Sequence, residues 1–470
     1  MADILIIGAG AAGLSAAFSL RANGHNVSIV EAWNEIGGRA FSYQTDGVWF
    51  DWGAEAIEAT DDAIAWNLKD AQALGLADGD HSLDNPPQGY INPQDPLPAA
   101  VDGADGQHYK LPFAANGVRG DPIDTRNAVT PGQSNTVEDN INAVHANFDG
   151  DASDDFYHSV NLQIGQTDEN SILFRQAQFG TWPVFSDAVE VDAQLGSIRN
   201  FERANAENAG AEDRDDGNID QMMGKRVQTW AANTHLSDLV TTSKPVVRVR
   251  NIANNKVSVD FKDGSNATYD AVLVTVPTDK VKGPNEAVGA DDLQIDDLTL
   301  DDRILFRANP LGCYFKLLVS GLQGVRIPSP GNCVIATLER GYAYFWIYQD
   351  PSASHVYLHA AGETGRVMSD NHPLAAQVLL QSIKRLNNPD FNLTDNATAW
   401  VYDWCKEEYF GGAYSITLPG GWNTREGLRN FRRGRIYYAG EAASTRWYSQ
   451  IAGAMESGTA TAVRMHGDLG

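Results

Sequence analysis

The chain begins with an alternation of strand-like and helix-like hydrophobic patterns. An apolar strand from Asp3 to Ile7 leads into a glycine-rich turn, and an alanine-rich stretch from Leu14 to Asn23 follows, which Gly24 ends. A second apolar strand, from Asn26 to Val30, comes directly afterwards. Strand, turn, helix and strand in this order predict an α/β unit at the start of the chain.

Strand patterns return in the second half of the chain. The strand predicted at 271–277 is apolar enough to be buried. Residues 302–386 predict several strands followed by a helix. The later predicted elements are strands at 245–249, 256–261, 271–277 and 435–441, and helices at 374–386 and from 453 to about 465. The chain therefore mixes helices and strands throughout.

A long polar segment interrupts this pattern. From Asp78 to about Ala152 the chain is rich in Asp, Asn, Gly and Pro, which predicts an irregular excursion over the surface. Residues 151–218 mix helix-like and loop-like patches and allow no assignment. We expect the whole excursion, 78–218, to shape the entrance of a pocket.

The turn after the first strand reads Gly8-Ala9-Gly10-Ala11-Ala12-Gly13 and has the chemistry of a dinucleotide-binding loop. Gly8 permits the tight turn, Gly10 lets the backbone approach a pyrophosphate, and Gly13 allows close packing of helix on strand. The helix N-terminus offers unpaired N–H groups to the anion, and Glu31 can accept hydrogen bonds from ribose hydroxyls. We therefore predict an adenine dinucleotide. The candidate residues are Gly8, Gly10, Ala11, Ala12, Gly13, Glu31 and Ala32.

Composition and charge exclude some classes of protein. A length of 470 residues predicts two interlocked domains, and 43% hydrophobic with 20% charged residues is typical of a folded soluble protein. The net charge of −26 argues against a nucleic-acid partner, because no basic stripe could neutralise phosphates. This charge favours solubility or adaptation to salt over the attraction of a cationic substrate.

The chain offers no signal for export or for a membrane. Its first strand starts at Asp3, which leaves no room for a signal peptide, and no apolar stretch approaches the roughly 20 residues that span a bilayer. Cys313, Cys333 and Cys405 predict neither a metal site nor a disulfide framework, so we expect buried thiols in a reducing compartment. We predict a cytoplasmic protein without a metal, and a homodimer stays open.

Further motifs resemble the flavin amine oxidase superfamily. The Gly38-Arg39 turn follows Glu31 at the family's spacing, and Phe50–Ala54 resembles its D-x-G-A segment. Arg435–Glu441 and Gly453–Gly458 resemble its signature "AGE … GA-x-x-SG". The resemblance implies FAD as cofactor, with the arginine near the pyrophosphate. It adds the cofactor-binding residues Gly38, Arg39, Gly53, Ala54, Val247, Trp404, Gly440, Glu441 and Ile451.

The resemblance also implies a glutathione-reductase-type FAD-binding Rossmann domain with an inserted mixed α+β substrate domain. The implied FAD-binding segments are 1–59, 226–300 and 401–470, and the implied substrate-domain segments are 60–225 and 301–400. Three separated pieces of sequence would thus build one cofactor site.

Lys316 lies inside an apolar strand, after Pro310-Leu311-Gly312-Cys313-Tyr314-Phe315. A lysine among such neighbours must snorkel or meet a partner, because burial of an unpaired ammonium group is costly. The stretch resembles the family's P-L-G-x-x-x-K strand, and the resemblance implies that Lys316 holds a water molecule against N5 of the flavin. A strand-edge lysine that points to solvent is the alternative.

The segment from Trp404 to Tyr414 resembles the family's pattern W-x-x-x-x-Y-x-G-G-x-Y. The resemblance implies that Tyr414 forms one wall of an aromatic cage around the substrate amine. The second wall departs from the family, because position 450 is Gln instead of Tyr, and Trp447 or Tyr448 are the alternatives.

Two further positions concern the cofactor and the substrate. Ala413 stands where animal monoamine oxidases carry a cysteine linked covalently to FAD, so we predict non-covalent, dissociable FAD. Residues 53–58 lack the arginine with which amino acid oxidases bind the substrate carboxylate. Glu58 instead matches in spacing an acidic residue of polyamine oxidases, and a solvent-facing glutamate is the alternative.

The resemblance implies an enzyme that oxidises a C–N bond of a primary or secondary amine or a polyamine. Hydride would pass from the α-carbon to flavin N5, water would hydrolyse the imine, and O2 would reoxidise the flavin to give H2O2. An L-amino acid oxidase, with Arg175 or Arg446 as carboxylate partner, is one alternative. An FAD-dependent desaturase or dehydrogenase with another electron acceptor is the second, and a non-catalytic FAD-binding homologue is the third. The candidate catalytic residues are Lys316, Tyr414, Trp447, Gln450 and Glu58.

Overall fold

The computed structural model describes residues 1–45, 48–54, 68, 74, 101–102, 108–109, 222–323, 333–337, 344–349, 355–373, 392–418, 421 and 423–470. The chain divides into two compact units, and each unit is assembled from separate pieces of sequence. The first unit holds residues 1–82, 200–311 and 407–470, and the second holds 83–199 and 312–406. The chain therefore leaves the first unit and returns to it twice.

Strands supply most of the regular structure in the described residues. They are β1 (Asp3–Ile7), β2 (Asn26–Val30), β3 (Ser42–Thr45), β4 (Val48–Asp51), β5 (Val101–Asp102), β6 (His108–Tyr109), β7 (Val240–Thr241), β8 (Val246–Ile252), β9 (Lys256–Phe261), β10 (Asn266–Tyr269), β11 (Ala271–Val274), β12 (Val281–Lys282), β13 (Leu293–Ile295), β14 (Tyr314–Gln323), β15 (Cys333–Thr337), β16 (Tyr344–Gln349), β17 (His355–Ala361), β18 (Asn392–Asp403), β19 (Arg432–Arg433) and β20 (Ile436–Tyr438).

The α-helices of the described residues are α1 (Ala11–Ala22), α2 (Met223–Asn233), α3 (Leu300–Arg307), α4 (Gly362–Asp370), α5 (Thr424–Arg429) and α6 (Ile451–Leu469). Short 3₁₀ turns occupy Ser237–Leu239, Ala253–Asn255, Thr278–Lys280 and Glu441–Ala443. Within the described part of the chain, no helix combines the length and the apolar run that crossing a bilayer would need.

The first unit is built on a six-stranded sheet with the order β19-β20-β11-β1-β2-β7. All neighbours pair in parallel except the edge strand β19, which runs antiparallel to β20. Successive residues of β1 pack into different cores, because side chains alternate between the faces of a strand. Ile4 and Ile6 pack into one core, and Leu5 and Ile7 pack into the other. Both faces are therefore covered, as in parallel sheets generally.

Two layers of the first unit cover this sheet. Helices α1 and α6 contribute to the core that contains Ile4 and Ile6. The other core receives buried residues of a second sheet, with the order β10-β9-β8-β13-β12. Helix α6 lies close to α1, where the Ser15 hydroxyl donates a 2.9 Å hydrogen bond to the carbonyl of Met455.

The second unit contains an antiparallel sheet with the order β15-β16-β17-β14-β18. In this sheet β14 lies between β17 and β18, and Lys316 pairs in register with Tyr402 of β18. The N–H of Trp404 donates to the carbonyl of Tyr314 at 3.1 Å, which extends the pairing by one residue beyond β18.

The cysteines of the second unit correct a prediction. Cys313 and Cys405 form a disulfide, with Cα atoms 4.8 Å apart, although the sequence predicted isolated thiols. Cys313 directly precedes β14 and Cys405 follows the end of β18 by two residues, so strand pairing brings together two cysteines that are 92 residues apart. Spacing along the sequence carried no sign of this, because the pair depends on the register of two distant strands.

Most predicted elements of the first unit are confirmed. The strands β1, β2 and β9 have the predicted ends, whereas β11 stops at Val274, three residues before the predicted end. Helix α1 starts at Ala11, three residues early, because its N-cap is Gly10, and α6 continues to Leu469. The helix predicted at 374–386 lies outside the described residues, as does nearly all of the polar excursion.

Candidate functional site

The glycine-rich loop of the first unit joins β1 to α1 in a tight turn. Gly8 has a φ of +111°, a conformation that glycine tolerates and other residues seldom adopt, and its N–H donates to Val30 at 2.8 Å. A Cβ atom on Gly13 would lie only 2.0 Å from the carbonyl oxygen of Gly8. The predicted roles of these two glycines, in the turn and in close packing, agree with this geometry.

The N-terminus of α1 lies beside the Gly37-Gly38 turn. Gly10 is the N-cap of α1, and no side chain caps the helix there. The Gly37 N–H donates to Ala9 at 3.0 Å, and a Cβ on Gly10 would meet nothing closer than 3.8 Å, namely atoms of Gly37 and Gly38. Helix N–H groups without a capping side chain attract anions. The N-terminus of α1 thus presents uncapped N–H groups beside the Gly37-Gly38 turn.

Glu31 is buried at the end of β2 and is fixed by the backbone around it. Its carboxylate accepts hydrogen bonds from the N–H groups of Ala9 at 2.7 Å and Trp33 at 2.9 Å. Burial raises the pKa of Glu31, and the backbone hydrogen bonds act against this rise. The carboxylate therefore organises the glycine-rich loop directly, and its residual acceptor capacity suits ribose hydroxyls.

The segment before β8 lies beside Glu31. The backbone N–H of Lys244 donates to the carbonyl of Glu31 at 2.8 Å, and the backbone N–H of Ser243 donates to the carbonyl of Trp33 at 2.8 Å. Val247 follows three residues later, half-buried at an irregularity of the β8–β9 pairing. The loop after β4 lies next to Arg39, since the Ala54 N–H donates to the Arg39 carbonyl at 3.0 Å.

Arg39 joins the glycine loop region to the C-terminal part of the chain. Its Nη1 donates to Glu441 Oε1 at 2.8 Å and to the carbonyl of Ala413 at 2.6 Å. The Arg39 side chain keeps 23% of its surface exposed, whereas the Glu441 side chain keeps 7%. Burial alone would raise the pKa of Glu441, but Arg39, Arg425 and a hydrogen bond from Ser415 hold this pKa below its ordinary value.

Arg425 is a fully buried arginine behind this pair. Its guanidinium donates to the Ser415 hydroxyl at 2.8 Å, the Ser415 carbonyl at 3.0 Å and the Thr417 hydroxyl at 2.8 Å. The Ser415 hydroxyl donates in turn to Glu441 Oε2 at 2.6 Å. Two guanidinium groups therefore share one carboxylate, and the cluster has one excess positive charge. Such a charge suits an anionic ligand.

Sequence reasoning did not identify Arg425 or Ser415. Arg425 stands in the run Asn423-Thr424-Arg425-Glu426, which looks like a solvated helix start. Its guanidinium is buried against Ser415, Thr417 and Ala442, which belong to the loop before α5 and to the turn after β20 rather than to the helix that carries Arg425. No local periodicity could therefore have indicated its position.

Tyr414 lies between two residues of this cluster. Its neighbour Ala413 accepts from Arg39, and its neighbour Ser415 donates its N–H to Glu441 at 3.1 Å. Tyr414 itself is half-buried. The backbone on both sides of the ring is thus fixed by the same ion pair.

The loop before α6 carries the remaining candidates of the first unit. Gly440 donates its N–H to Ser457 at 3.2 Å, Ile451 is the first residue of α6, and Gln450 is half-buried at its N-cap. Trp447 is buried, and the Arg446 guanidinium carbon lies 4.9 Å from the centroid of its ring.

Lys316 and Trp404 belong to the second unit. Lys316 is 5% exposed, and its Nζ lies 5.8 Å from the centroid of the Tyr314 ring. Register and alternation put Tyr314, Lys316, Tyr402 and Trp404 on one face of the sheet, where the rings of Tyr402 and Trp404 are 4.8 Å apart. Lys316 is therefore buried among aromatic side chains, and the solvent-facing alternative is wrong. Glu58 lies outside the described residues.

Comparisons with known proteins agree with the motifs. The family model of flavin containing amine oxidoreductases matches residues 11–466. A 70-residue stretch is 41% identical to Amine oxidase [flavin-containing] A of Equus caballus, and it covers 14% of this chain and 13% of that protein. A 74-residue stretch is 40% identical to a putative flavin-containing monoamine oxidase of Mycobacterium tuberculosis, and it covers 16% of each chain.

Solved structures share the fold over nearly the whole chain. Cyclohexylamine oxidase from Brevibacterium oxydans IH-35A matches with a TM-score of 0.67 at 16% identity, over 100% of this chain and 99% of that one. Wild-type putrescine oxidase bound to putrescine matches with a TM-score of 0.66 at 17% identity, over 99% and 98%. The sequence stretches shared with the curated relatives are short, but the family model spans nearly all residues. The chain therefore belongs to the family of flavin-containing amine oxidoreductases.

Proposed function

We propose that the protein is an FAD-dependent oxidase of a primary or secondary amine or a polyamine. The observation that carries the proposal is the Arg39–Glu441 ion pair. Arg39 follows the dinucleotide loop, and the same guanidinium binds the carbonyl of Ala413, next to Tyr414. One ion pair thus connects the cofactor loop with the segment that would contact the amine.

The residues of the first unit fit FAD. The uncapped N-terminus of α1 and the partly exposed Arg39 suit its diphosphate, and the buried Glu31 suits a ribose. Val247 follows the segment that pairs with Glu31, which supports its role beside the adenine. The strand order of the six-stranded sheet supports a Rossmann domain of the glutathione-reductase type. We also keep the domain boundaries predicted from the sequence as part of this proposal.

FAD is proposed to bind without a covalent bond. The residue at the position of the cysteine attachment in animal relatives is Ala413, whose methyl side chain cannot form a thioether. Its carbonyl is instead the acceptor of the short hydrogen bond from Arg39. Acid precipitation of the yellow protein should therefore leave all flavin in the supernatant.

Bound FAD would accept a hydride from the α-carbon of the amine and would be reoxidised by O2 with formation of H2O2. The chain supplies orientation and electrostatics. The Tyr414 ring, whose two neighbours are held by hydrogen bonds, would orient a neutral amine, and Trp447 or Tyr448 would form the second wall of the cage. The Lys316 ammonium would hold a water molecule, with Trp404 beside it on the same face. The N-terminus of α6 at Ile451 would stabilise negative charge.

The substrate is proposed to lack an α-carboxylate. Of the arginines considered as carboxylate partners, Arg446 lies over the Trp447 ring, and Arg175 lies outside the described residues. Two structural neighbours are named for amines without an α-carboxylate, cyclohexylamine and putrescine. This favours an amine or a diamine, with Glu58 as partner of a second ammonium group, over an L-amino acid.

Oxygen consumption separates the proposal from its rivals. The holoprotein should consume O2 and form one H2O2 per amine oxidised when it is mixed with cyclohexylamine, putrescine or a longer polyamine. Turnover that needs an artificial electron acceptor and yields no H2O2 would instead indicate a dehydrogenase. Turnover with L-amino acids alone would indicate an amino acid oxidase.

The cytoplasmic location and the homodimer stay predictions. The disulfide Cys313–Cys405 argues against a constantly reducing compartment, since reducing pools keep most thiols free. Gel filtration at several protein concentrations would decide the oligomeric state, and non-reducing analysis of protein from its native cells would decide the redox state of the disulfide.

A further inference from the structure

Arg425 is held in the interior by hydrogen bonds from all parts of its guanidinium. Nε donates to Thr417 Oγ1 at 2.8 Å, Nη2 donates to the Ser415 carbonyl at 3.0 Å, and Nη1 donates to Ser415 Oγ at 2.8 Å and Ala442 O at 3.3 Å. The guanidinium carbon also lies 4.1 Å from the centroid of the Tyr448 ring. The relative exposure of Arg425 is 0%. A buried cation is costly, so this arrangement calls for a reason.

The charge that faces Arg425 is the carboxylate of Glu441, and Ser415 connects the two. Ser415 Oγ accepts from Arg425 and donates to Glu441 Oε2 at 2.6 Å. Glu441 also accepts from the N–H groups of Ser415 and Ser449, at 3.1 Å each. Its other strong partner is Arg39 at 2.8 Å. Arg39 directly, and Arg425 through the Ser415 hydroxyl, therefore both interact with the Glu441 carboxylate.

The titratable and charged groups around Glu441 come from four elements. Arg39 follows the Gly37-Gly38 turn, Arg425 belongs to α5, Tyr438 ends β20, and Tyr448 belongs to the loop before α6. Burial raises the pKa of the Tyr438 hydroxyl, so this group stays neutral. The two arginines, together with the hydrogen bonds from Ser415 and Ser449, thus keep the buried carboxylate charged.

Loss of one cation would change the protonation of Glu441. With both arginines present, burial of the carboxylate is offset and its pKa stays below the ordinary value. With Arg39 alone, desolvation would be less well offset, and Glu441 would take up a proton at a higher pH. A protonated Glu441 carries no charge to attract Arg39, whose guanidinium would then lose its fixed position next to Glu441 and the Ala413 carbonyl.

We propose that Arg425 is a positioning residue that keeps Glu441 ionised and thereby keeps Arg39 in place for the diphosphate of FAD at acidic pH. The inference rests on the proposed function, because it takes FAD as the ligand of Arg39. In this proposal the buried arginine does more than fill space, because it prevents the protonation of Glu441 that would weaken the binding of FAD. Arg425 contacts neither the amine nor the flavin in this account.

Release of FAD from the holoprotein, followed by flavin fluorescence between about pH 8 and pH 5.5, tests the proposal. The wild-type protein should retain FAD almost equally over this range. Arg425→Gln, which keeps donor groups but no charge, should lose FAD several-fold more readily at the acidic end than at the alkaline end, because protonation of Glu441 there removes the charge that holds Arg39. Arg425→Lys keeps the charge, so its release of FAD should be as independent of pH as that of the wild-type protein.

Two further variants separate positioning from packing. Thr417→Val removes one hydrogen bond of Arg425 but no charge, so it should lower the melting temperature without a pH-dependent loss of FAD. Glu441→Gln mimics the protonated carboxylate and should weaken FAD binding at every pH. If Arg425→Gln does not fold, a flat and undiminished FAD affinity of Glu441→Gln would by itself overturn the proposal.

The outcomes also distinguish this proposal from the proposed function. A flat pH profile for Arg425→Gln, or a steep one for Arg425→Lys, would overturn the role of Arg425 and leave amine oxidation untouched. A wild-type protein that binds no FAD at any pH would overturn the proposed function itself.

Discussion

Gly458 of α6 lies directly against Ala12 in the first turn of α1. A Cβ atom on Gly458 would lie 2.2 Å from the carbonyl oxygen of Ala12 and 2.4 Å from the hydroxyl oxygen of Ser15. A side chain at position 458 would therefore fit only if α1 or α6 shifted. The C-terminal helix therefore fixes the position of the very turn that would receive the diphosphate of the cofactor.

The variant Gly458→Ala should force α1 and α6 apart. We expect a loss of stability of about 1–3 kcal/mol from overpacking and a weaker affinity for FAD, because the N-terminus of α1 moves with its first turn. Thermal unfolding and FAD titration measure the two effects. Gly467→Ala in the same helix is the matched control, since a Cβ there meets nothing within 4 Å. Equal effects of both substitutions would contradict the close contact.

The disulfide Cys313–Cys405 should be visible by counting thiols. The chain has 3 cysteines, so the denatured protein should show one free thiol before reduction and three after it. The bridge closes a loop of 92 residues, and the chain-entropy account gives such a loop about 4–5 kcal/mol of stabilisation. Reduction, or Cys313→Ala with Cys405→Ala, should therefore lower the melting temperature. Three reactive thiols in the unreduced protein would show that no disulfide forms.

His25 and His466 link the start of β1 to the end of α6 and should make stability depend on pH. The N–H of Ala2 donates to His25 Nδ1 at 3.3 Å, so Nε2 carries the proton and donates to His466 Nδ1 at 3.0 Å. Burial, His466 and the N-terminal amino group lower the pKa of His25 below 6.5.

The lowered pKa of His25 determines whether stability rises or falls with pH. Well above its ordinary pKa of about 6.5, His25 is neutral in both the folded and the unfolded state and its contribution to stability is complete. As the pH falls, the unfolded chain takes up the proton first, so stability decreases until the pH passes the pKa of the folded state. Urea unfolding at pH 8 and pH 5.5 measures this loss, and His25→Asn should reduce it. An unchanged pH dependence in that variant would assign the loss to other groups.

The sequence predicted the glycine-rich turn between β1 and α1 well because its signals are local. The turn Gly8–Gly13, the strand ends and Glu31 depend on neighbours within a few residues, and the observed geometry follows them. The burial of Lys316 has a similarly local signal, since a charge in an apolar strand stands out without knowledge of the fold. Its role in the reaction stays a prediction.

Long-range relationships could not be read in the same way. The disulfide needs the register of β14 against β18, and the burial of Arg425 needs three segments that meet only in the folded chain. The cysteines were accordingly predicted to be isolated thiols, and Arg425 was not predicted as a site residue at all. Residue types that gain their role from distant partners are the ones that periodicity misses.

The variant Lys316→Met should separate chemistry from cofactor binding. Removal of the ammonium group should slow reduction or reoxidation of the flavin at least about tenfold, in the range known for the loss of one electrostatic contact at an active site, while FAD stays bound. Stopped-flow absorbance measures both half-reactions. Lys406→Met is the matched control, because this lysine is exposed in the same unit. Undiminished rates in Lys316→Met would reject its proposed role.

The most direct test of the account is anaerobic mixing of the yellow holoprotein with amines and L-amino acids, followed through the visible absorbance of the flavin. We predict that a monoamine, a diamine or a polyamine bleaches the flavin and that L-amino acids do not. Bleaching by L-amino acids alone, or no bleaching by any amine in a protein whose flavin dithionite still reduces, would contradict the assignment of amine oxidation to this chain.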